Sequence, residues 1–347
     1  MNNKDNPCGL DGFAFIEFSA PDPAVILRHF KALGFQATAQ HQQHDVTLFE
    51  QGKIQFILNN APHIQAQTHA KTHGPGACAM GFNTKNAAHA FKEAVARGAT
   101  PFYEEDSIHH DLPAIQAIGG SVIYFVDADH QPFQGQWTSV AKTTPAVEPT
   151  GLELIDHLTH NVYRGNMDKW AQFYESIFNF YEIRFFDIEG QASGLISRAL
   201  SSPCNKIKIP LNESKDDVSQ IEEFLHEFHG EGIQHIALST NTIYSAVHAI
   251  RDNGIAFLEV PDTYYDMIQD RIPWHQEPLA ELKKERLLID GEKDPSQGLL
   301  LQLFTQNVFG PVFFEIIQRK GNQGFGEGNF TALFEAIERD QMNRGVL

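Results

Sequence analysis

GEGIQHIALST, residues 230–240, has an earlier counterpart in GPGACAMGFNT, residues 74–84, and that pairing decides the fold. Both are glycine turns opening into strand-like runs, and Ala79 stands in the first where His235 stands in the second. The same order of elements recurs around each, which is the mark of an internal repeat. In the second half IDHLTHNV (155–162) alternates like a strand and precedes a helix in MDKWAQFYESIFNF, where Trp170, Phe173, Tyr174 and Ile177 recur at three- and four-residue spacing. The strand-like runs EIRFFDI, GLISRAL and IKIPLNE follow, then a helix over roughly 217–228 with Val218, Ile221, Leu225 and Phe228 on one face. After IQHIALST come a helix through AVHAIRDNG, a short run FLEV, and the strands LLLQLFT (299–305) and VFFEIIQR (312–319).

The first half echoes this order more loosely, in FAFIEFS, VILRHFKALGF, VTLFEQ and IQFILN, then ACAMGFNT, AAHAFKEAVARGA and SVIYFVDA. The pattern predicts an α+β fold of paired βαβββ modules. Two tandem domains result, each an open, curved sheet around a cavity with helices outside. The stretch TSVAKTTPAVEPTG (138–151) is poor in large apolar residues and carries two prolines, which is linker chemistry. It divides the chain into an N-terminal structural domain, 1–145, and a C-terminal domain, 151–347, that carries the candidate chemistry.

Bulk properties narrow the function. A chain of 347 residues exceeds one ordinary core, and 42% hydrophobic residues supply two. No apolar run approaches a membrane span. A formal charge of −18 repels phosphate backbones and anionic lipid, so neither nucleic acid nor membrane is an expected partner. The opening MNNKDNPCGLDGF has neither the basic start nor the apolar stretch of a signal peptide, which predicts a cytoplasmic protein. Cys8, Cys78 and Cys204 are far apart, without a C-x-x-C pair.

Alternation places Ile155, His157 and Thr159 on one strand face, and Phe313, Glu315 and Ile317 on another, with His235 in mid-strand. An ionised glutamate inside apolar strands is costly unless paired or bound to a metal. Two imidazoles and one carboxylate on rigid strands form the facial triad suited to non-haem iron(II), with positions left open for substrate and oxygen. The bland alternatives are hydrogen-bonded core histidines and a buried pair of Glu315 with Arg319. His160 points to the opposite face. HIQAQTHAKTH (63–73) reads as a solvated loop and His109–His110–Asp111 as a loop, and the glycine-rich GNQGFGEGN (321–329) lacks the spacing of a nucleotide loop.

Taken together, IDHLTHNVYRG, GEGIQHIAL, LLLQLFT, GPVFFEIIQRKG and GFGEGNF resemble the bacterial 4-hydroxyphenylpyruvate dioxygenases, with DGFAFIEF and GPGACAMGF extending the likeness to the first half. The resemblance implies a vicinal-oxygen-chelate (glyoxalase-like) fold. It implies one Fe(II) per chain on His157, His235 and Glu315. The family's catalytic and pocket positions fall on Ser197, Asn212, Gln220, Gln234 and Gln302, with Pro210, Phe304, Phe313, Phe325, Asn329 and Phe330 against the substrate. The implied reaction turns 4-hydroxyphenylpyruvate and O2 into homogentisate and CO2, a step of tyrosine catabolism, in a homo-oligomer, dimer or tetramer.

The bland readings stand beside these: Phe330, Leu333, Phe334 and Ile337 recur at helical spacing, which would pack Phe330 in a C-terminal helix on the core, and Gln220 and Gln234 would be surface or capping residues. The nearest rival function is a hydroxymandelate synthase, using the same substrate and metal. An extradiol ring-cleaving dioxygenase and a non-catalytic binding protein of the same fold stand further off.

Overall fold

The computed structural model describes residues 5–62, 64–105, 107–127, 136–140, 147–189, 194–217, 219–329 and 332. The first module is β1 (Leu10–Ser19), α1 (Pro23–Ala32), β2 (Gln36–His41), β3 (Val46–Gln51) and β4 (Ile54–Asn59). A connecting helix, α2 (Ile64–His73), leads to the second: β5 (Gly76–Thr84), α3 (Ala87–Ala96), β6 (Pro101–Phe102), β7 (Ala114–Gln116) and β8 (Val122–Asp127). Strand β9 (Trp137–Ser139) then pairs with β2. This takes Thr138 and Ser139, read as linker, into the first sheet.

The second half repeats the plan with β10 (Leu152–Val162), α4 (Met167–Phe178), β11 (Tyr181–Glu189), β12 (Gly194–Ser201) and β13 (Lys208–Ser214). Helix α5 (Gln220–Glu227) leads to β14 (Gly232–Thr240) and α6 (Ile243–Asp252). Three short helices follow, α7 (Asp262–Asp266), α8 (Ile268–Arg271) and α9 (Leu279–Glu285), before β15 (Leu288–Gly291), β16 (Leu299–Phe304) and β17 (Phe313–Lys320). The sheets run β6-β7-β8-β5-β1-β4-β3-β2-β9 and β11-β12-β13-β10-β14-β17-β16-β15. In every module the first and last strands lie parallel, and antiparallel pairs β1/β5 and β10/β14 join the modules. The paired βαβββ expectation therefore holds in both halves.

Local chemistry sets the helices. The Asp22 side chain accepts from the Ala24 N–H at the start of α1, and Ser219 caps α5 by accepting from the Glu222 N–H. Helix α4 buries Met167, Trp170, Ala171, Tyr174, Ile177 and Phe178 and stops at Asn179, whose left-handed backbone turns the chain. Two expectations fail. FLEV makes only an isolated bridge, Phe257 to Thr305. HIQAQTHAKTH is not a solvated loop: Ile64–His73 is helical, with His69 and His73 buried, and His63 lies outside the described residues. The expected C-terminal helix from Phe330 onward also falls outside them.

One apolar core joins the two halves. Phe18 meets Phe309 with ring centroids 5.9 Å apart, Phe82 meets Phe178 at 5.8 Å, and Phe56 meets Phe314 at 6.1 Å. Gly119, at φ +60°, brings its Cα so close to the Glu231 carbonyl that any Cβ would overlap it. The first half thus buttresses the strands that carry the site in the second.

Candidate metal centre

Three neighbouring strands build the centre around one small residue. Ala237 on β14 lies opposite His157 on β10 and beside Glu315 on β17. Its methyl group leaves space between those two longer side chains, and His235, two residues earlier on β14, projects from the same face. The ligand atoms of His157, His235 and Glu315 all lie within 4.8 Å of one another. Glu315 Oε2 is 3.2 Å from His157 Nε2 and 3.6 Å from His235 Nε2. No other cluster of three His, Cys, Asp or Glu groups with this potential occurs among the described residues.

The donor set fits a divalent transition metal on evidence independent of any relative. Glu315 is buried, yet its Oε1 has no hydrogen-bond partner, an expensive arrangement unless a cation completes it. Both imidazoles are held by their other nitrogen: His157 Nδ1 lies 2.8 Å from Asp156 Oδ1, and His235 Nδ1 lies 3.2 Å from Gln234 Oε1. Those acceptors place the ring proton on Nδ1 and turn the Nε2 lone pair toward the centre. Burial pushes the Glu315 carboxyl up, but the His157 and His235 rings outweigh it and hold it below the usual carboxylate range. Burial likewise opposes charge on Asp156, but the Arg319 guanidinium prevails and holds that carboxyl well below its ordinary value.

Arg319 does not neutralise Glu315. It makes a two-pronged pair with Asp156, Nε to Oδ2 and Nη2 to Oδ1, each 2.7 Å. Strict alternation would turn Asp156 away from His157, but β10 carries a register shift between Ile155 and His157. That bulge lets both side chains share one site. His160 faces the other side, its Nε2 2.7 Å from the Tyr174 hydroxyl.

A cavity of about 290 Å³ opens from the triad. Ser197, Pro210, Asn212, Gln220 and Gln234 line it, as do the rings of Phe304, Phe313 and Phe325. Phe313 stacks on His235 at 4.8 Å, and Phe325 meets His157 edge-on at 5.2 Å. Two expected pocket residues sit elsewhere. Gln302 is buried against Gly326, where a Cβ would overlap its amide, its Oε1 has no hydrogen-bond partner, and it does not line the cavity. Asn329 is also behind the wall: its Oδ1 accepts from the Tyr264 hydroxyl at 2.6 Å and from Arg271 at 3.3 Å. Phe330 lies outside the described residues. Thr159, Phe186, Leu195, Ile221, Leu258 and Glu327 complete the lining and were not named as pocket residues from the sequence. Of these, only Thr159 carried a usable signal, as the next inward residue after His157.

The paired modules and the strand-borne His-His-Glu centre define a metalloprotein of the vicinal-oxygen-chelate class, able to hold one Fe(II). Comparison with known proteins narrows this. A family model described as hydroxyphenylpyruvate dioxygenase, N-terminal, matches residues 4–135, and the glyoxalase/bleomycin resistance protein/dioxygenase superfamily model matches 154–272. A 4-hydroxyphenylpyruvate dioxygenase of Legionella pneumophila (strain Corby) is 68% identical over 344 residues, covering 99% of this chain and 98% of the relative. The protein of the same name from Pseudomonas aeruginosa is 51% identical, with 99% and 98% covered. A solved mutant of 4-hydroxymandelate synthase from Streptomyces coelicolor superposes with a TM-score of 0.82 at 25% identity, over 96% of this chain and 99% of that one. The chain belongs to the 4-hydroxyphenylpyruvate dioxygenase family.

Proposed function

We propose that the chain is an Fe(II)-dependent dioxygenase converting 4-hydroxyphenylpyruvate and O2 to homogentisate and CO2 in tyrosine catabolism. The observation that carries this reading is the convergence of His157, His235 and Glu315 at the floor of a cavity with aromatic and amide walls. When bound, ferrous iron supplies Lewis acidity toward a chelating 2-keto acid and the electrons for oxygen activation. The protein's part is to place the ring. Phe304, Phe313, Phe325 and Pro210 form an apolar slot for it, while Ser197, Asn212 and Gln220 offer hydrogen bonds to its phenol oxygen. Gln302 packs against Gly326, beside Phe325, and Asn329 is held by Tyr264 and Arg271. A pocket that fixes the ring and excludes water directs the oxidant to one carbon.

The same reading assigns catalysis to 151–347 and a structural role to 1–145. Among the described residues no helix is long and apolar enough to cross a membrane. A cytoplasmic homo-oligomer, dimer or tetramer, completes the proposal, and light scattering that finds a single chain would remove that element.

Oxygen uptake with 4-hydroxyphenylpyruvate and ferrous iron tests the whole reading. Native protein is expected to turn over, and Glu315→Ala to lose turnover while remaining folded. The superposition on 4-hydroxymandelate synthase favours one second reading, oxidation of the benzylic carbon instead of the ring. Chromatography of the product separates the two, since hydroxymandelate as the main product would replace the first reading with the second.

A further inference from the structure

The guanidinium of Arg319 sits at a junction. One edge grips Asp156, whose Oδ1 accepts from His157 Nδ1 at 2.8 Å. The remaining nitrogen, Nη1, donates to the Gly324 carbonyl at 2.6 Å and the Asn322 carbonyl at 3.2 Å. The cation also lies over the Phe325 ring, 5.5 Å from its centroid, and that ring lines the cavity. A single half-buried side chain thus touches the support of a metal ligand and the backbone of an aromatic wall. The planar fork of arginine allows this, because its donors point in fixed divergent directions.

We infer that Arg319 is a positioning residue that locks the His157 ring for metal binding through Asp156 and, separately, fixes the Phe325 wall against which the aromatic substrate rests. The inference builds on the proposed iron site and divides one residue's work into a charge-dependent part and a geometry-dependent part. A lysine keeps the first and loses the second. The ammonium still faces the Asp156 carboxylate, but a single point of charge cannot also hold the two carbonyls of the 322–325 segment. Glutamine removes the charge and leaves Asp156 with Lys208, 4.0 Å away, as its remaining cation.

The test measures metal binding by titrating the metal-free full chain with Co(II), without substrate, and then measures kcat and KM after iron loading. Arg319→Gln is expected to weaken Co(II) binding by roughly 10- to 100-fold, the usual effect of removing the support behind a ligating histidine. Arg319→Lys is expected to stay within about threefold of native in Co(II) affinity but to raise the KM for 4-hydroxyphenylpyruvate by about tenfold, the loss of one well-placed contact. Should Arg319→Gln fail to fold, Asp156→Asn carries the metal arm, with the same expected weakening. Native Co(II) affinity in a folded Arg319→Gln or Asp156→Asn overturns the link to the metal ligand. A native KM in Arg319→Lys overturns the link to the wall. Native protein that binds Co(II) but ignores the keto acid would instead defeat the proposed function, leaving the metal arm standing.

Discussion

The two halves of this chain carry the same strand registers and opposite contents. Phe15 lies opposite Gly81 as His157 lies opposite Ala237, and Gly81 pairs with Tyr124 as Ala237 pairs with Glu315. With Ala79 at the place of His235, the first half presents Phe, Ala and Tyr where the second presents His, His and Glu. The space that would hold a metal is filled there by His109, which stacks on Phe15 at 5.0 Å, approaches Tyr124 at 4.7 Å, and meets Glu17 Oε2 at 2.8 Å. Asn59 donates to the other Glu17 oxygen at 2.6 Å. Backbone geometry is therefore permissive and not sufficient. The site exists where ligands converge and nothing plugs the hollow between them.

The largest effect should come from erasing that difference in the second half. His235→Ala copies Ala79 into the metal centre and leaves two ligands, so iron retained after desalting should fall from one per chain to near zero, with affinity lower by at least ~100-fold. Since an alanine at this position already sits in a folded sheet in the first half, the variant should stay folded. Full retention of iron would mean that the register equivalence does not describe the centre.

The next largest effect should appear in the first half. His109→Ala opens a cavity beside Phe15 and Tyr124 and leaves the buried Glu17 carboxylate with Asn59 as its neutral partner. Leaving a buried carboxylate short of one hydrogen-bond partner costs roughly 1–3 kcal/mol, read as a lower urea midpoint. Metal affinity measured on the same preparation should not change. A loss below ~1 kcal/mol, or any fall in iron binding, would show that the plug is not a local structural device.

These contrasts explain what could be read from the residues and what could not. The repeat was legible because small-residue turns and strand alternation survive divergence, and the triad because a glutamate in FFEIIQR has few reasons to be buried. The bulge at Ile155 and His157 has no signature of its own, so alternation alone turns Asp156 away from His157 and leaves Arg319 as the alternative partner for Glu315. Alternation also tells which face a side chain takes and not what lies over it. Gln302 therefore reads as a pocket residue, although its amide packs against Gly326 and it does not line the cavity. Helix α2 gives little signal because its buried positions are Ala66, His69, Ala70 and His73, where large aliphatic side chains at helical spacing are the pattern normally sought.

That helix supplies the smallest and most specific contrast. Helices α2 and α5 each lead into an inner strand of their half and meet where α5 ends, His73 stacking on the C-cap residue Phe228 at 4.5 Å and His69 meeting the same ring at 5.9 Å. Where α5 presents phenylalanine, α2 presents imidazole. Burial, with the neighbouring His73 adding to it, pushes the His69 pKa down to about 3. In the unfolded chain the same ring titrates near ~6.5. The folded state resists this proton, so the stability His69 contributes is complete above about pH 6.5 and is lost as pH falls toward 3, by ~1.4 kcal/mol per pH unit. His160, buried in the second half and likewise pushed down to about 3, adds a parallel loss. His69→Leu should therefore reduce the slope of stability against pH between 6 and 4 by about that amount and leave the share due to His160. Urea midpoints across that window measure it, and an unchanged slope would mean that His69 accepts its proton without unfolding.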